Sequence, residues 1–347
     1  MKVLITGSAG FIGANLVMRL LRTESPITIV GLDSLNDYYD VSLKEYRLNL
    51  INQYCSEHAE STYEFIKGDI SNQELIDSIF DRFHFDVVVN LAAQAGVRYS
   101  IDNPGAYIKS NVIGFYNILE ACRRHPVKHL VYASSSSVYG GNTKIPFAEI
   151  DMVDNPISLY AATKKSNELF AHCYSKLYQI PCTGLRFFTV YGPAGRPDMA
   201  YFGFTNKLIK GEKIQIYNFG NCERDFTYIE DIVEGVQRVI HKPPMQKIGE
   251  DGLPEPAYAI YNIGNNHPEN LLMFVEILQQ ELVRAKVLPD DYVFATHKEL
   301  VPMQPGDVPV TFADTSRLEK TFGFKPSTDL RTGLRHFAEW YKSYYCC

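Results

Sequence analysis

The feature that most constrains this chain is Thr6-Gly7-Ser8-Ala9-Gly10-Phe11-Ile12-Gly13, set directly after the apolar run Lys2 to Thr6. A short, continuous apolar run fits a strand buried on both faces, the usual state of a parallel strand. Three glycines then fall at the turn and in the first turn of a helix. Gly7 supplies the φ that a tight turn needs, Gly10 lets the backbone approach a phosphate, and Gly13 lets the helix pack closely on the strand. The helix N-terminus offers unpaired N–H groups and partial positive charge, which suit a pyrophosphate. Phe11, Leu16, Val17, Leu20 and Leu21 supply the apolar stripe of that helix. A second apolar run, Ile27 to Leu32, ends at Asp33, about 20 residues beyond the last glycine. A carboxylate there accepts from a ribose 2′-OH and repels a 2′-phosphate, so the expected cofactor is NAD rather than NADP.

Composition narrows the class. The chain has 347 residues, 46% hydrophobic and 21% charged, enough for a large core and two domains. Net charge is −6 with a pI near 5.9, and no basic run exceeds a few residues, which argues against a nucleic-acid surface. No run reaches transmembrane length, and the opening residues lack the charged and apolar regions of a secretory signal. No membrane partner and a cytoplasmic location are therefore expected. The cysteines (Cys55, Cys122, Cys173, Cys182, Cys222, Cys346 and Cys347) are odd in number and lack metal-ligand spacing. Free thiols and no metal site follow.

Further strand-like runs at 63–67, 86–91, 130–133 and 182–187 alternate with helical stretches. This βαβ order predicts an α/β fold with a doubly wound parallel sheet, whose ligands bind at the strands' C-terminal ends. Asp69 follows the third run, and Ser71 with Glu74 reads as a capping box for the next helix. Leu91-Ala92-Ala93-Gln94-Ala95-Gly96-Val97-Arg98 follows the fourth run; its small residues leave room for a flat ligand, and Arg98 is a candidate anion contact. Pro104 to His125 reads as one long helix with Asn111 early in it. Ser134-Ser135-Ser136-Ser137 closes the fifth run with hydroxyls that can donate and accept. Ser158 caps a helix running to Gln179, on which Tyr160 and Lys164 share one face at i, i+4. An ammonium near a phenol favours the phenolate, drawing its pKa from about 10 towards that of a working general base.

The texture changes after Gly192, where prolines and glycines cluster to Pro197. Helices are expected at 201–210, 229–241, 268–285, 315–322 and 330–344, strands at 213–217 and 258–263, and a mobile surface loop at 242–255. The 258–263 strand brings the chain back to the first sheet. The expected domains are therefore 1–187, which the chain rejoins at about 226–264, and a smaller, discontinuous α/β domain within 188–347.

The combination of Gly7, Gly10 and Gly13 with Ser135, Tyr160 and Lys164 resembles the extended short-chain dehydrogenase/reductase family, with its Rossmann-type sheet. Leu91 to Arg98, Arg186 to Pro193, Gly195 to Ala200 and Arg224 to Tyr228 are similar to segments of UDP-glucuronate 4-epimerases within that family. The resemblance covers nearly the whole chain. It implies a catalytic set of Tyr160, Lys164 and Ser135, and an NAD site formed by Gly7, Gly10, Phe11, Ile12, Gly13, Asp33, Asp69, Ile70, Leu91, Ala92, Ala93 and Asn111 together with Tyr160 and Lys164. It further implies a UDP-sugar site at Ser134, Ser135, Ser136, Thr189, Arg196, Arg224, Asp307 and Arg98, with Asp307 accepting from a ribose hydroxyl. In the implied reaction Tyr160 takes the proton of the sugar 4-OH while C4 gives up a hydride. The 4-keto sugar then turns over and receives the hydride on its other face. A homodimer is the implied assembly.

Neighbouring chemistries share the first oxidation. Relatives that act as 4,6-dehydratases carry Asp-Glu before Val-Tyr-Gly, and UDP-glucuronate decarboxylases carry Glu there; this chain has Ser136 and Ser137. UDP-glucose 4-epimerase is the nearest alternative, and a non-catalytic dinucleotide-binding protein is the alternative from another class.

Overall fold

The computed structural model describes residues 1–249, 252–303 and 310–345. The glycine turn joins β1 (Lys2–Thr6) to α1 (Phe11–Thr23) as the spacing requires, and β2 (Thr28–Asp33) ends on its aspartate. There follow α2 (Val41–Glu57), β3 (Thr62–Lys67), α3 (Gln73–Phe83) and β4 (Val87–Asn90). The α3 N-cap is Asn72, whose side chain accepts from Leu75 N at 3.1 Å. Ser71 is therefore not the cap; it stands one residue before it, with its N–H donating to Asp69 Oδ1 at 2.9 Å.

The segment expected as one helix from Pro104 to His125 is broken. After α4 (Tyr99–Asp102) and α5 (Pro104–Tyr107) comes a π-helical turn at Ile108–Ile113, and only then α6 (Gly114–Arg124). A π turn adds a residue per turn and rotates what it carries; here Asn111 faces inward and is buried. Then come β5 (His129–Ser135), α7 (Leu159–Tyr178) and β6 (Cys182–Phe187). Ser158 caps α7 as expected, accepting from Ala161 N at 3.1 Å.

Beyond β6 the chain builds a second layer: β7 (Thr189–Tyr191), α8 (Ala200–Ile209), β8 (Ile214–Ile216), β9 (Glu223–Tyr228) and α9 (Ile229–Ile240). The stretch expected to be a loop at 242–255 carries an antiparallel ribbon of β10 (Lys247–Ile248) and β11 (Pro254–Glu255). After β12 (Tyr258–Ile263), the expected 268–285 helix begins later: Pro268–Asn270 is strand β13, and α10 is Leu271–Arg284. Proline's missing N–H is tolerated at a strand's first residue, and Asn270 caps the helix by accepting from Leu272 N and Met273 N. The chain closes with β14 (Lys298–Leu300), β15 (Val310–Thr311), α11 (Ser316–Phe322) and α12 (Leu330–Tyr345).

The main sheet has the order β12-β6-β5-β4-β1-β2-β3, and every pairing in it is parallel. Strand order reverses between β1 and β4, and a ligand crevice opens at such a switch point. One core face packs α3 and α6 on the sheet; the other packs α1 and α9 and continues into α10 and α12. A smaller sheet of β13-β9-β15, with β7 paired to β9, stands over the C-terminal ends of the main strands. The segment expected to start the return at 226 thus begins in this small sheet, and only α9 and β12 rejoin the large one. Among the described residues no helix is long and apolar enough to cross a membrane, no group of side chains could hold a metal ion, and Cys55, Cys122, Cys173, Cys182 and Cys222 are free thiols.

Candidate active site

One cleft runs along the switch point. Gly7, Gly10, Phe11, Ile12, Gly13, Asp33, Asp69, Ile70, Leu91, Ala92 and Ala93 line one part of it; Ser134, Ser135, Tyr160, Lys164 and Arg196 line the other. Gly7 has φ +72° and a Cβ there would lie 2.8 Å from Ala92 N, so the turn accepts only glycine. Gly10 is the N-cap of α1 and supplies no side-chain bond, leaving the first N–H groups of the helix to the cleft. Asp33 is held by Ala9 N at 3.1 Å and Leu35 N at 2.9 Å. A carboxylate has about four acceptor sites, so Asp33 keeps capacity for ribose hydroxyls. An anion cradle in the middle, a fixed acceptor at one end and a phenol–ammonium pair at the other together fit a nicotinamide dinucleotide.

At the reacting end, burial lifts the Tyr160 phenol above its ordinary value, while the Ser135 hydroxyl and the Arg196 guanidinium draw it down. The sequence assigns that lowering to Lys164. In the structure the Lys164 ammonium donates to the Ala133 carbonyl at 2.8 Å, and burial lowers its own pKa to about 8. Tyr107 packs edge-on against Tyr160 with centroids 6.0 Å apart.

Several expected contacts are engaged with the protein's own groups or stand off the cleft. Asn111 lies behind the cleft wall: its Oδ1 accepts from Gln94 N at 2.8 Å, and its Nδ2 donates to Gln94 O at 3.0 Å and Thr163 Oγ1 at 3.1 Å. It staples the loop after β4 to α7. Ser134 donates its proton to Glu168 Oε1 at 2.6 Å, and Glu168 also receives Arg186 at 2.8 and 2.9 Å. A carboxylate only accepts, so Ser134 has no proton left for a substrate carboxylate. Asp69 carries an ion pair with Lys109 at 2.9 Å. Arg98 lies over the Tyr217 ring, 5.6 Å from its centroid. Arg224 donates to Glu223 O at 2.9 Å, and Thr189 opens β7. Ser136 starts a short 3-10 turn beside the cleft. Asp307 lies outside the described residues.

Sequence reasoning passed over Tyr38, Tyr39 and Lys44, which line the same cleft. The Tyr38-Tyr39 pair just after Asp33 was the available signal. Tyr38 donates to Asp198 Oδ2 at 3.3 Å; burial and that carboxylate push its phenol up to about 12. Asp198 also pairs with Arg196, Nε donating to Oδ1 at 3.0 Å. The loop after β2 and the loop before α8 thus meet across the cleft mouth.

The chain is similar to known proteins along nearly its whole length. The model of the NAD dependent epimerase/dehydratase family matches residues 3–264. The chain is 48% identical to the protein CapI of Staphylococcus aureus over 99% of each chain. It is 46% identical to UDP-glucuronate 4-epimerase 4 of Arabidopsis thaliana, over 99% of this chain and 76% of that one. It is also similar, with TM-score 0.83 and 29% identity, to the crystal structure of a Bacillus cereus UDP-glucuronic acid 4-epimerase in complex with UDP-glucuronic acid and NAD, covering 99% of this chain and 100% of that one.

Proposed function

The chain belongs to the NAD dependent epimerase/dehydratase family, and on that premise we propose that it inverts C4 of UDP-glucuronate to give UDP-galacturonate, with NAD as its resident cofactor. The observation that carries the reading is the meeting of Tyr160, Ser135, Lys164 and Arg196 at one end of a cleft whose other end is Asp33. NAD supplies a hydride acceptor that returns what it takes, so the sugar undergoes no net oxidation. Gly7, Gly10 and the α1 N-terminus hold the pyrophosphate, and Asp33 the adenosine ribose.

Tyr160 removes the proton from the sugar 4-OH and gives it back after inversion. The pull of Ser135 and Arg196 on the phenol offsets part of the cost of burying its charged form. Ser135 hydrogen-bonds O4 as its charge changes. Lys164 holds the nicotinamide ribose. Arg196, close enough to bias Tyr160, lines the sugar end of the cleft; Asp198 holds its Nε and Nη2, and its Nη1 is the group that meets the uronate carboxylate. Thr189 and Ser136 add hydroxyls there, and Arg224, Arg98 and Asp307 serve the UDP moiety.

The assembly we propose is a homodimer through α6 and α7. Ile113, Tyr116, Leu169, Phe170, Leu177 and Tyr178 stand exposed on this helical face, an apolar surface that a second copy would cover. Light scattering should give the mass of a dimer, and Leu177→Glu should shift it towards monomer; a native monomer would end that part of the proposal.

The deciding experiment is NMR of the purified protein with UDP-glucuronate and no added NAD. UDP-galacturonate is the expected product. A UDP-pentose would mean that decarboxylation wins. Turnover of UDP-glucose alone would move the assignment to a neutral-sugar epimerase.

A further inference from the structure

Arg47, on α2, has no part in the chemistry above, yet it is 2% exposed. Each hydrogen bond recorded for it ends on a carbonyl or a phenol. Nη1 donates to the Ala9 carbonyl at 2.9 Å and to the Tyr39 phenol at 2.7 Å; Nε and Nη2 donate to the Ala194 carbonyl at 3.0 and 2.7 Å, and Nη2 also to Gly195 at 3.1 Å. A guanidinium has five N–H groups, and these bonds use that capacity.

The two ends of this bridge are informative. Ala9 belongs to the glycine turn, and its own N–H goes to Asp33. Ala194 has φ +52°, in the left-handed region that a residue with a Cβ enters only when its surroundings hold it there. At Gly195 a Cβ would lie 1.8 Å from the Tyr201 hydroxyl, so the turn packs closely on Tyr201 and needs glycine there. The next residue is Arg196, which biases Tyr160. A second link runs parallel: Tyr39, bonded to Arg47, directly follows Tyr38, which reaches Asp198 and through it Arg196.

We propose that Arg47 is a positioning residue that couples the dinucleotide turn to Arg196, so that one buried fork sets both the cofactor cradle and the guanidinium facing the reacting sugar. The Arg196 half of this rests on the epimerase reading; the Ala9 half rests only on cofactor binding. The requirement is for a fork and not merely a charge: lysine cannot reach four acceptors on three loops at once.

The test is a cycle of Arg47→Lys and Arg196→Ala in the holoenzyme, read as kcat for UDP-glucuronate and as the NAD dissociation constant. Arg47→Lys alone should lower kcat about tenfold, but less than about twofold when Arg196 is already alanine, because residues in one network are not additive. It should also weaken NAD about tenfold, as loss of a network contact does. A purely structural Arg47 would lower kcat by the same factor in both backgrounds, and that result overturns the proposal. So does an unchanged NAD dissociation constant. Should Arg47→Lys fail to fold, Tyr39→Phe removes one bond of the same network and takes its place in the cycle. If the native protein turns over no UDP-sugar, the epimerase reading fails by itself, and the NAD measurement still decides whether Arg47 supports the cofactor turn.

Discussion

The nucleotide wall of the cleft and its sugar wall meet at Tyr160, yet they are made of different material. The nucleotide wall is main chain: Gly7 N donates to Leu32 O at 2.7 Å, Ala9 N holds Asp33, and Gly7 packs against the backbone of Ala92. The sugar wall is held up by buried side chains. Ser134, Glu168, Arg186, Tyr139 and Asn262 form a continuous chain, with Tyr139 donating to Asn262 Oδ1 at 2.7 Å and Arg186 Nη1 donating to Tyr139 at 3.0 Å. Nearby, Asp225 is fully buried and accepts from Asn265 N, Asn266 N and Ala313 N; burial lifts its pKa to about 6 despite those bonds. A wall of backbone is set by glycine placement over a few residues. A wall of side chains must bring distant segments together and leaves little local trace.

Substitutions can break this contrast in graded steps. Tyr160→Phe removes the proposed proton acceptor, where both walls meet. Its kcat should fall about 10²- to 10⁴-fold, the usual share of a general base, while NAD stays bound. Turnover within a few-fold of native would mean that another group moves the proton. Glu168→Gln leaves Arg186 buried without its counter-charge, at a cost of about 3–5 kcal/mol. Urea unfolding should register that loss, and a midpoint equal to native would show the sugar wall to be more tolerant than its burial implies.

His129, at the opposite end of β5, serves as a control outside both walls. It is fully buried, with Nδ1 near Ile240 O and Nε2 near Thr183 Oγ1, and burial lowers its pKa to about 4. Its folded pKa lies below its unfolded value of about 6.5, so the stability it contributes is present above about pH 6.5 and is lost as pH falls towards 4. Over that window the native protein should lose on the order of 3 kcal/mol relative to His129→Gln. Asp225, with a raised pKa, acts in the opposite sense in both proteins and drops out of the difference. Parallel stability curves would contradict the burial argument.

Gly7→Ala tests the backbone wall directly. The left-handed φ alone costs about 1–2 kcal/mol, and the contact with Ala92 should appear as weaker NAD retention on gel filtration. Retention equal to native would mean that the turn can shift without harm. Ser158→Ala, which removes the α7 cap below Tyr160, should cost only about 1 kcal/mol in thermal unfolding and leave NAD affinity alone. A fall in NAD affinity there would mean that the sugar wall and the nucleotide wall are coupled through the start of α7.

Local signals sufficed for much of this protein. Apolar runs bounded by glycine and small polar residues marked most of the first six strands of the large sheet, and the return strand at 258–263 as well, because a strand buried on both faces must be apolar along its length; the edge strand β3, with no buried residue, showed instead as a mixed run of aromatic and β-branched residues. Glycine spacing, Asp33 and the Tyr160–Lys164 interval were legible for the same reason: each states a backbone or one-turn requirement within a few residues. What tertiary structure decided was how polar side chains are spent. It committed the Ser134 proton to Glu168, turned Asn111 inward on a π turn, shared the bias on Tyr160 between Ser135 and Arg196 instead of Lys164, and joined Arg47 to the glycine turn at Ala9 and to Ala194, 147 residues further along the chain from Arg47. Hydrogen bonds are short-ranged and directional, so which donor meets which acceptor is settled only when the segments have packed.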